Sequence, residues 1–267
     1  MGRDDSSRAD SALARCYPAR MLQRTVHRTG LVGYRSRELS AVGVPHLFTT
    51  RVGLGGTPMD LRESDGRALD ALRELALAPS GAPLLSMKQV HGASVHELGM
   101  ALGALEGDAW TSSRADLLAL VYTADCVPVL VASADGSRVA AIHAGWRGLV
   151  AGVIPAALER LGVRALVAAI GPCLSLESCE MGPEVAGQFE RAGLGAAIHA
   201  RSGERPRIDL RAAARIQLER GGCARIDLSD RCTYLHADEL PSHRREVTHG
   251  GAARAGRIGA FIAARPQ

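Results

Sequence analysis

Three residues of this 267-residue chain have the side chains and the settings that reaction chemistry needs: His91, Cys126 and His143. Cys126 lies between two short apolar runs, Leu117–Thr123 and Val127–Ala132. His143 closes a third, Arg138–Ile142, and His91 occupies a tight turn with Gly92 inside Pro83–Glu97. Points where strands stop and loops begin are where binding and catalytic residues concentrate. Three such ends can converge on one edge of a sheet. Two imidazoles and a thiolate suit zinc, and three protein ligands leave a fourth position for water or substrate. A structural zinc site wants four ligands, and Cys173 or Cys179 is available as the fourth. Cys126 and His143 alone also compose a nucleophile–base dyad, because an imidazole activates a neighbouring thiolate. A multicopper centre is the poorest fit, since it needs clustered histidines and the nine here are scattered.

The elements that must position these groups are short and alternate in type. Pro45–Thr50 reads as a first strand ending at Arg51, followed by the glycine-rich loop Val52–Pro58. That loop is either a plain turn or a set of amides that face an anion together with Arg51. Gly66–Ala78 has helical spacing, with Pro79-Ser80-Gly81 as its stop. Pro83–Glu97 reads as strand, turn and returning strand, with His91 at the turn. The three apolar runs around Cys126 and His143 read as buried strands. His143–Gly148 is a glycine-punctuated turn into a helix, Leu149–Leu161, which Pro155 is expected to kink. Ala165–Ile170 is a further strand, and Gly182-Pro183 opens a helix to about Ala192. Asp209–Arg220 is an amphipathic helix with Asp209 as its N-cap. Ala224–Leu228 and Gly256–Ala263 read as strands, and Cys232–His243 as a loop. The pattern predicts one mixed α/β domain over residues 41–267, with residues 1–40 as a basic, poorly structured leader.

Composition narrows the partners. The net charge of +4 is mild and aromatics make up only 3%, which argues against a nucleic-acid binder that stacks bases. No apolar run approaches the roughly 18 residues of a membrane helix. The N-terminus lacks the apolar core of a signal peptide. The six cysteines include no Cys-x-x-Cys pair, so free thiols in a reducing cytoplasm are expected. Lys88 is the only lysine among 32 basic residues and lies beside His91.

Four motifs occur in order: Lys88-Gln89-Val90-His91-Gly92, Thr123-Ala124-Asp125-Cys126-Val127-Pro128, His143-Ala144-Gly145-Trp146-Arg147-Gly148 and Ile170-Gly171-Pro172-Cys173. Together with Phe48-Thr49-Thr50-Arg51, Asp209-Leu210 and Gly256-Arg257, they resemble the laccase-domain family over about residues 45–263. That family has been called polyphenol oxidase and peptidoglycan editing factor, and is mostly read as purine nucleoside phosphorylases with adenosine deaminase activity. The resemblance implies a layered sandwich of two stacked mixed sheets flanked by helices. It implies zinc rather than copper on His91, Cys126 and His143, which would be the catalytic centre. It also implies a purine nucleoside and phosphate as substrates. Arg51 and Arg147 are then the candidates to hold phosphate, because a guanidinium fork matches its oxygens. Arg147 lies near a helix start, where amides favour anions, and Lys88 adds charge near His91. Deamination needs a proton shuttle; Asp125 is the nearest carboxylate in sequence, although alternation in an extended segment turns it away from Cys126. Asp60, Cys179, Leu235 and His243 depart from the family pattern and bear on the nucleoside pocket rather than on the metal triad. A cysteine hydrolase acting on a peptide or cell-wall precursor, a polyphenol (copper) oxidase and a non-catalytic zinc module are the other readings of the same residues. The oligomeric state is not legible.

Overall fold

Apolar runs without polar alternation need cover on both faces. The computed structural model, which describes residues 21–99, 105–200 and 204–266, provides that cover with two stacked sheets. The first sheet contains β1 (Gln23–Val26), β2 (Val32–Arg35), β3 (His46–Thr49), β4 (Leu84–Leu85), β7 (Leu118–Thr123) and β14 (Ile258–Ile262). Its strand order is β1-β2-β3-β14-β7-β4. The second contains β5 (Val95–Glu97), β6 (Ala109–Ser112), β8 (Val127–Ser133), β9 (Val139–Ala144), β10 (Leu166–Ile170) and β13 (Cys223–Leu228), in the order β13-β10-β8-β9-β6-β5. Both mix parallel and antiparallel pairs. β11 (Ile198–His199) and β12 (Arg207–Ile208) form a small separate ribbon.

The period of two along each strand sorts side chains into layers. Phe48, Val121 and Ala260 of the first sheet meet Leu130, Ala141 and Val167 of the second in the central core. Val129, Ile142 and Ala168 point the other way, under a helical layer. That layer is α3 (Trp146–Ala151), α4 (Val153–Leu161), α5 (Pro183–Arg191) and α6 (Leu210–Arg220). On the far side of the first sheet, Leu47, Leu120 and Phe261 pack beneath α2 (Gly66–Ala76). The expected sandwich of two mixed sheets flanked by helices is the observed architecture. No helix among the described residues is long and apolar enough to cross a membrane.

Four local features differ from the sequence expectation. Residues 21–40, read as leader, supply β1, β2 and most of α1 (Arg37–Ala41), with Leu31, Val32, Tyr34 and Leu39 buried. Strands of four residues are too short for their alternation to stand out among Arg and Ser. Residues 1–20 of that leader lie outside the described residues. Pro83–Glu97 is not a hairpin: β4 joins the first sheet and β5 the second, so the His91 turn passes between layers. The helix after His143 is two helices, broken at Gly152 in left-handed conformation (φ 81°). Pro155 lies in the first turn of α4, where its missing N–H costs nothing. Finally, the segment after the Cys232–His243 loop forms a π-helical turn, Arg244–His249.

Gly171 illustrates how tightly the layers meet. A Cβ there would lie 2.3 Å from Phe48 Cδ1 and 2.9 Å from Pro128 Cγ. Gly171→Ala is therefore expected to destabilise the fold by about 1–3 kcal/mol through overpacking, read as a lower midpoint in urea unfolding. An unchanged midpoint would mean that the sheets can separate there without penalty.

Candidate functional site

The strand order places the three chemical residues together. β8 and β6 both run antiparallel to β9, with Val127 opposite Ala144 and Ala109 opposite Ile142. The starts of β6 and β8 therefore flank the end of β9. The residues immediately before those starts are Asp108 and Cys126, and the end of β9 carries His143. His91 arrives from the crossover between the sheets. The ligand atoms of His91, Cys126 and His143 all lie within 4.8 Å of one another, the single such group among the described residues. The His91 and His143 rings meet edge to face at 4.8 Å.

Asp108 organises this group. Its carboxylate is fully buried and accepts hydrogen bonds from His143 Nδ1–H at 2.8 Å, His91 N–H at 2.9 Å and Gly92 N–H at 2.6 Å. Its carbonyl accepts from the His143 backbone N–H at 2.7 Å. With Nδ1 committed to a carboxylate, His143 keeps Nε2 as its available ligand atom. His91 takes a left-handed backbone, φ 61°, which is strained for a residue with a Cβ. The two N–H groups bound by Asp108 hold it there. Gln89 fixes the same loop to β7, donating to Tyr122 O at 2.8 Å and accepting from Tyr122 N–H at 2.7 Å.

Gly145 leaves the necessary space. A Cβ at this position would stand 2.9 Å from His91 Cδ2 and 3.0 Å from Cys126 Sγ. A bare Cα beside three convergent donors leaves room for a metal ion between them.

The charges reinforce one another. Burial pushes the Cys126 thiol up, but the charge of His143 and hydrogen bonds with His143 and His91 outweigh it and bring the thiol down to about 6. Burial opposes charging of His143, yet Cys126 and Asp108 raise the imidazole to about 9. Burial also works against the Asp108 carboxylate, and its bonds from His143, Gly92 and His91 hold it below the usual range. Three other buried thiols behave oppositely: burial pushes Cys173 up to about 11 and Cys179 and Cys223 up to about 12. Neither Cys173 nor Cys179 joins the donor group, so neither is its fourth ligand.

The group opens onto a cavity of about 530 Å³. Trp146, Leu174, Met181 and Leu210 give it an apolar side, and Arg62, Arg244 and Arg257 a cationic one. Arg51, Lys88 and Arg147 do not line it, and each has a neighbour of its own. Arg51 Nη1 lies 3.1 Å from Glu246, and Lys88 Nζ lies 2.6 Å from Glu106 on the surface. Arg147 stacks over the Trp146 ring at 4.3 Å. Asp125 does reach the cavity wall, through a left-handed backbone (φ 89°). Both its oxygens are occupied, by Thr233 Oγ1 at 2.6 Å and Arg244 N–H at 2.7 Å. These bonds tie the Asp125 turn to Thr233 and to the start of the Arg244–His249 turn.

Known proteins resemble this chain over most of its length. Residues 48–265 match the family described as multi-copper polyphenol oxidoreductase laccase. A Deinococcus radiodurans protein named purine nucleoside phosphorylase is 36% identical over 235 residues, covering 83% of this chain and 89% of that protein. The Escherichia coli purine nucleoside phosphorylase YfiH is 32% identical over 230 residues, covering 84% of this chain and 92% of its own. The crystal structure of a Neisseria meningitidis protein superposes with a TM-score of 0.68 at 30% identity, covering 84% of this chain and 95% of that one.

Two outcomes follow from the geometry. Asp108→Asn keeps the shape but removes the charge that orients His143, and metal affinity is expected to fall about 10–100-fold, measured by competition with a chelator. Unchanged affinity would remove Asp108 from the site. In metal-free protein, Cys126 is expected to be alkylated fastest of the five described cysteines. Its lowered pKa means that the thiolate persists above about 6 and is lost as pH falls through that value, so the alkylation rate should titrate there. A midpoint near the ordinary thiol value of about 8.5 would contradict the charge pair with His143.

Proposed function

The chain belongs to the multi-copper polyphenol oxidoreductase laccase family, and from that premise we propose that it is a zinc-dependent purine nucleoside phosphorylase that also deaminates adenosine. The observation that carries this reading is the convergence of His91, Cys126 and His143 on the wall of a cavity that apolar and cationic residues also line. The names of the Deinococcus and Escherichia relatives support the substrate class. The donor set supports zinc: two imidazoles and a thiolate form one mononuclear site, whereas a multicopper centre needs further histidines nearby. The same reading takes residues 41–267 as the catalytic domain, completed by the strands before it, working in the cytoplasm where its thiols stay reduced.

In phosphorolysis a phosphate oxygen bonds to the anomeric carbon of ribose while the carbon–nitrogen bond to the purine breaks, giving free base and ribose 1-phosphate. The chain contributes position and electrostatics. Trp146, Leu174 and Leu210 offer flat and apolar surface to a purine. Asp108 keeps His143 in one tautomer and orientation and holds the His91 loop in its strained conformation. Zinc held by His91, Cys126 and His143 would supply Lewis acidity at a fourth, open position. In deamination, water replaces the amino group of adenosine and ammonia leaves.

One observation favours a second reading. Cys126, His143 and Asp108 also have the order of a nucleophile, a base and an orienting carboxylate. That arrangement would suit a cysteine hydrolase acting on a peptide or cell-wall precursor.

Incubation of purified protein with adenosine, with and without phosphate, separates the readings. Adenine and ribose 1-phosphate are expected with phosphate, and inosine without it. Chelation should abolish both activities and zinc should restore them. Cys126→Ser should cost more than the ~10–100-fold typical of losing a ligand's supporting partner. Activity that survives chelation but is lost on thiol alkylation would favour the hydrolase. Absence of adenine and inosine at saturating adenosine would refute the phosphorylase.

A further inference from the structure

Of the three arginines on the cavity wall, Arg257 makes neither an ion pair nor a hydrogen bond through its Nε–Nη2 edge among the described residues. Arg62 is neutralised by Asp60, to which Nε donates at 3.1 Å and Nη2 at 2.6 Å. Arg244 is occupied by carbonyls, donating to Ser178 O at 2.6 Å and Glu180 O at 3.0 Å. Arg257 makes hydrogen bonds only through Nη1, to Ala255 O and Gly256 O, both at 3.0 Å. Among the described residues no carboxylate lies within ion-pair distance of it. Its Nε–Nη2 edge is therefore available, on the wall of the same cavity as Cys126 and His143.

The backbone fixes this position. Arg257 immediately precedes β14, and its carbonyl accepts from Leu61 N–H at 3.2 Å. Ile258 pairs with Thr123 in antiparallel register, which sets Arg257 beside the Thr123–Cys126 turn. Burial lowers the guanidinium's pKa and the charge of Arg62 adds to the effect, while the charges of Asp60, Cys126 and Asp125 oppose it from beyond ion-pair distance. A partly buried cation that makes no ion pair is completed by an anion, and the planar edge of a guanidinium matches two oxygens of one phosphate.

We infer that Arg257 is the residue that holds inorganic phosphate in this cavity, its Nε–Nη2 edge taking two phosphate oxygens beside the His91–Cys126–His143 group. This assignment deepens the phosphorolysis reading and rests on it. It gives Arg257 the role that the sequence suggested for Arg51 and Arg147.

The test titrates zinc-loaded protein with inorganic phosphate by calorimetry, in the wild type, Arg257→Gln and Arg257→Lys, alongside steady-state kinetics. Arg257→Gln is expected to weaken phosphate binding and raise the phosphate KM by about tenfold or more, with the KM for adenosine in deamination moving less than about twofold. Arg257→Lys should recover part of the loss, and it serves as the folded comparison if the glutamine variant is unstable. Unchanged phosphate affinity and KM in a folded Arg257→Gln protein would overturn the inference while leaving phosphorolysis standing. Phosphate binding that depends on Arg257 in a protein that turns over no nucleoside would uphold the anion site and refute the phosphorylase reading alone. Wild-type protein that binds adenosine 5′-monophosphate but not inorganic phosphate would overturn the assignment of free phosphate.

Discussion

The buried carboxylate of Asp108 is the constraint on which the site depends. A charge removed from water must be matched by hydrogen bonds or opposite charge, or it costs several kcal/mol. Asp108 is matched by His143 Nδ1–H and by the backbone N–H groups of His91 and Gly92. These three partners come from two separate segments, so satisfying the carboxylate also assembles the site. The same bonds explain how His91 can hold a left-handed backbone. Of the three non-glycine residues with positive φ among the described residues, His91 belongs to the His–Cys–His donor group and Asp125 adjoins it in sequence at Cys126. The third, Leu77, caps α2.

The sandwich turns sequence distance into proximity. Strand β9 lies between β8 and β6, and both neighbours run against it. One sheet edge thereby receives an end and two beginnings. Small residues keep the approach close: Gly145 leaves room for His91 and Cys126, and Gly148 lies against Gly92 O, which a Cβ would approach to 3.0 Å. The motif around His143 therefore mixes roles. His143 is a candidate ligand, Gly145 and Gly148 are spacing, Trp146 is cavity wall, and Arg147 stacks on Trp146.

Much of this was legible in the chain. The buried strands around Cys126 and His143 are short apolar runs, and the grouping of His91 with them follows from donor type and strand-end position. The sheets' layered arrangement came with the family resemblance. Asp108 was not legible as a site residue, because one acid before one strand has no spacing signature; only the strand register brings it to His143. The destination of β5 was hidden too, since two short strands flanking a turn look like a hairpin whether or not they pair. Which cations face the cavity is not legible in the sequence, for an energetic reason. Adjacency to a motif marks a cation as near the site, but Arg51 and Lys88 have acidic partners from distant segments, Glu246 and Glu106, which sequence cannot show. Arg257 is visible in the Gly256-Arg257 pair, yet that it makes no ion pair among the described residues emerges only from the fold.

The central claim is that His91, Cys126 and His143 hold a single zinc ion with a position open to substrate. Zinc-edge X-ray absorption of the purified protein tests it most directly. The account predicts one sulfur neighbour at about 2.3 Å and nitrogen or oxygen neighbours at about 2.0–2.1 Å, two of them imidazoles. Two or more sulfur neighbours, or a copper edge in place of zinc, would contradict it.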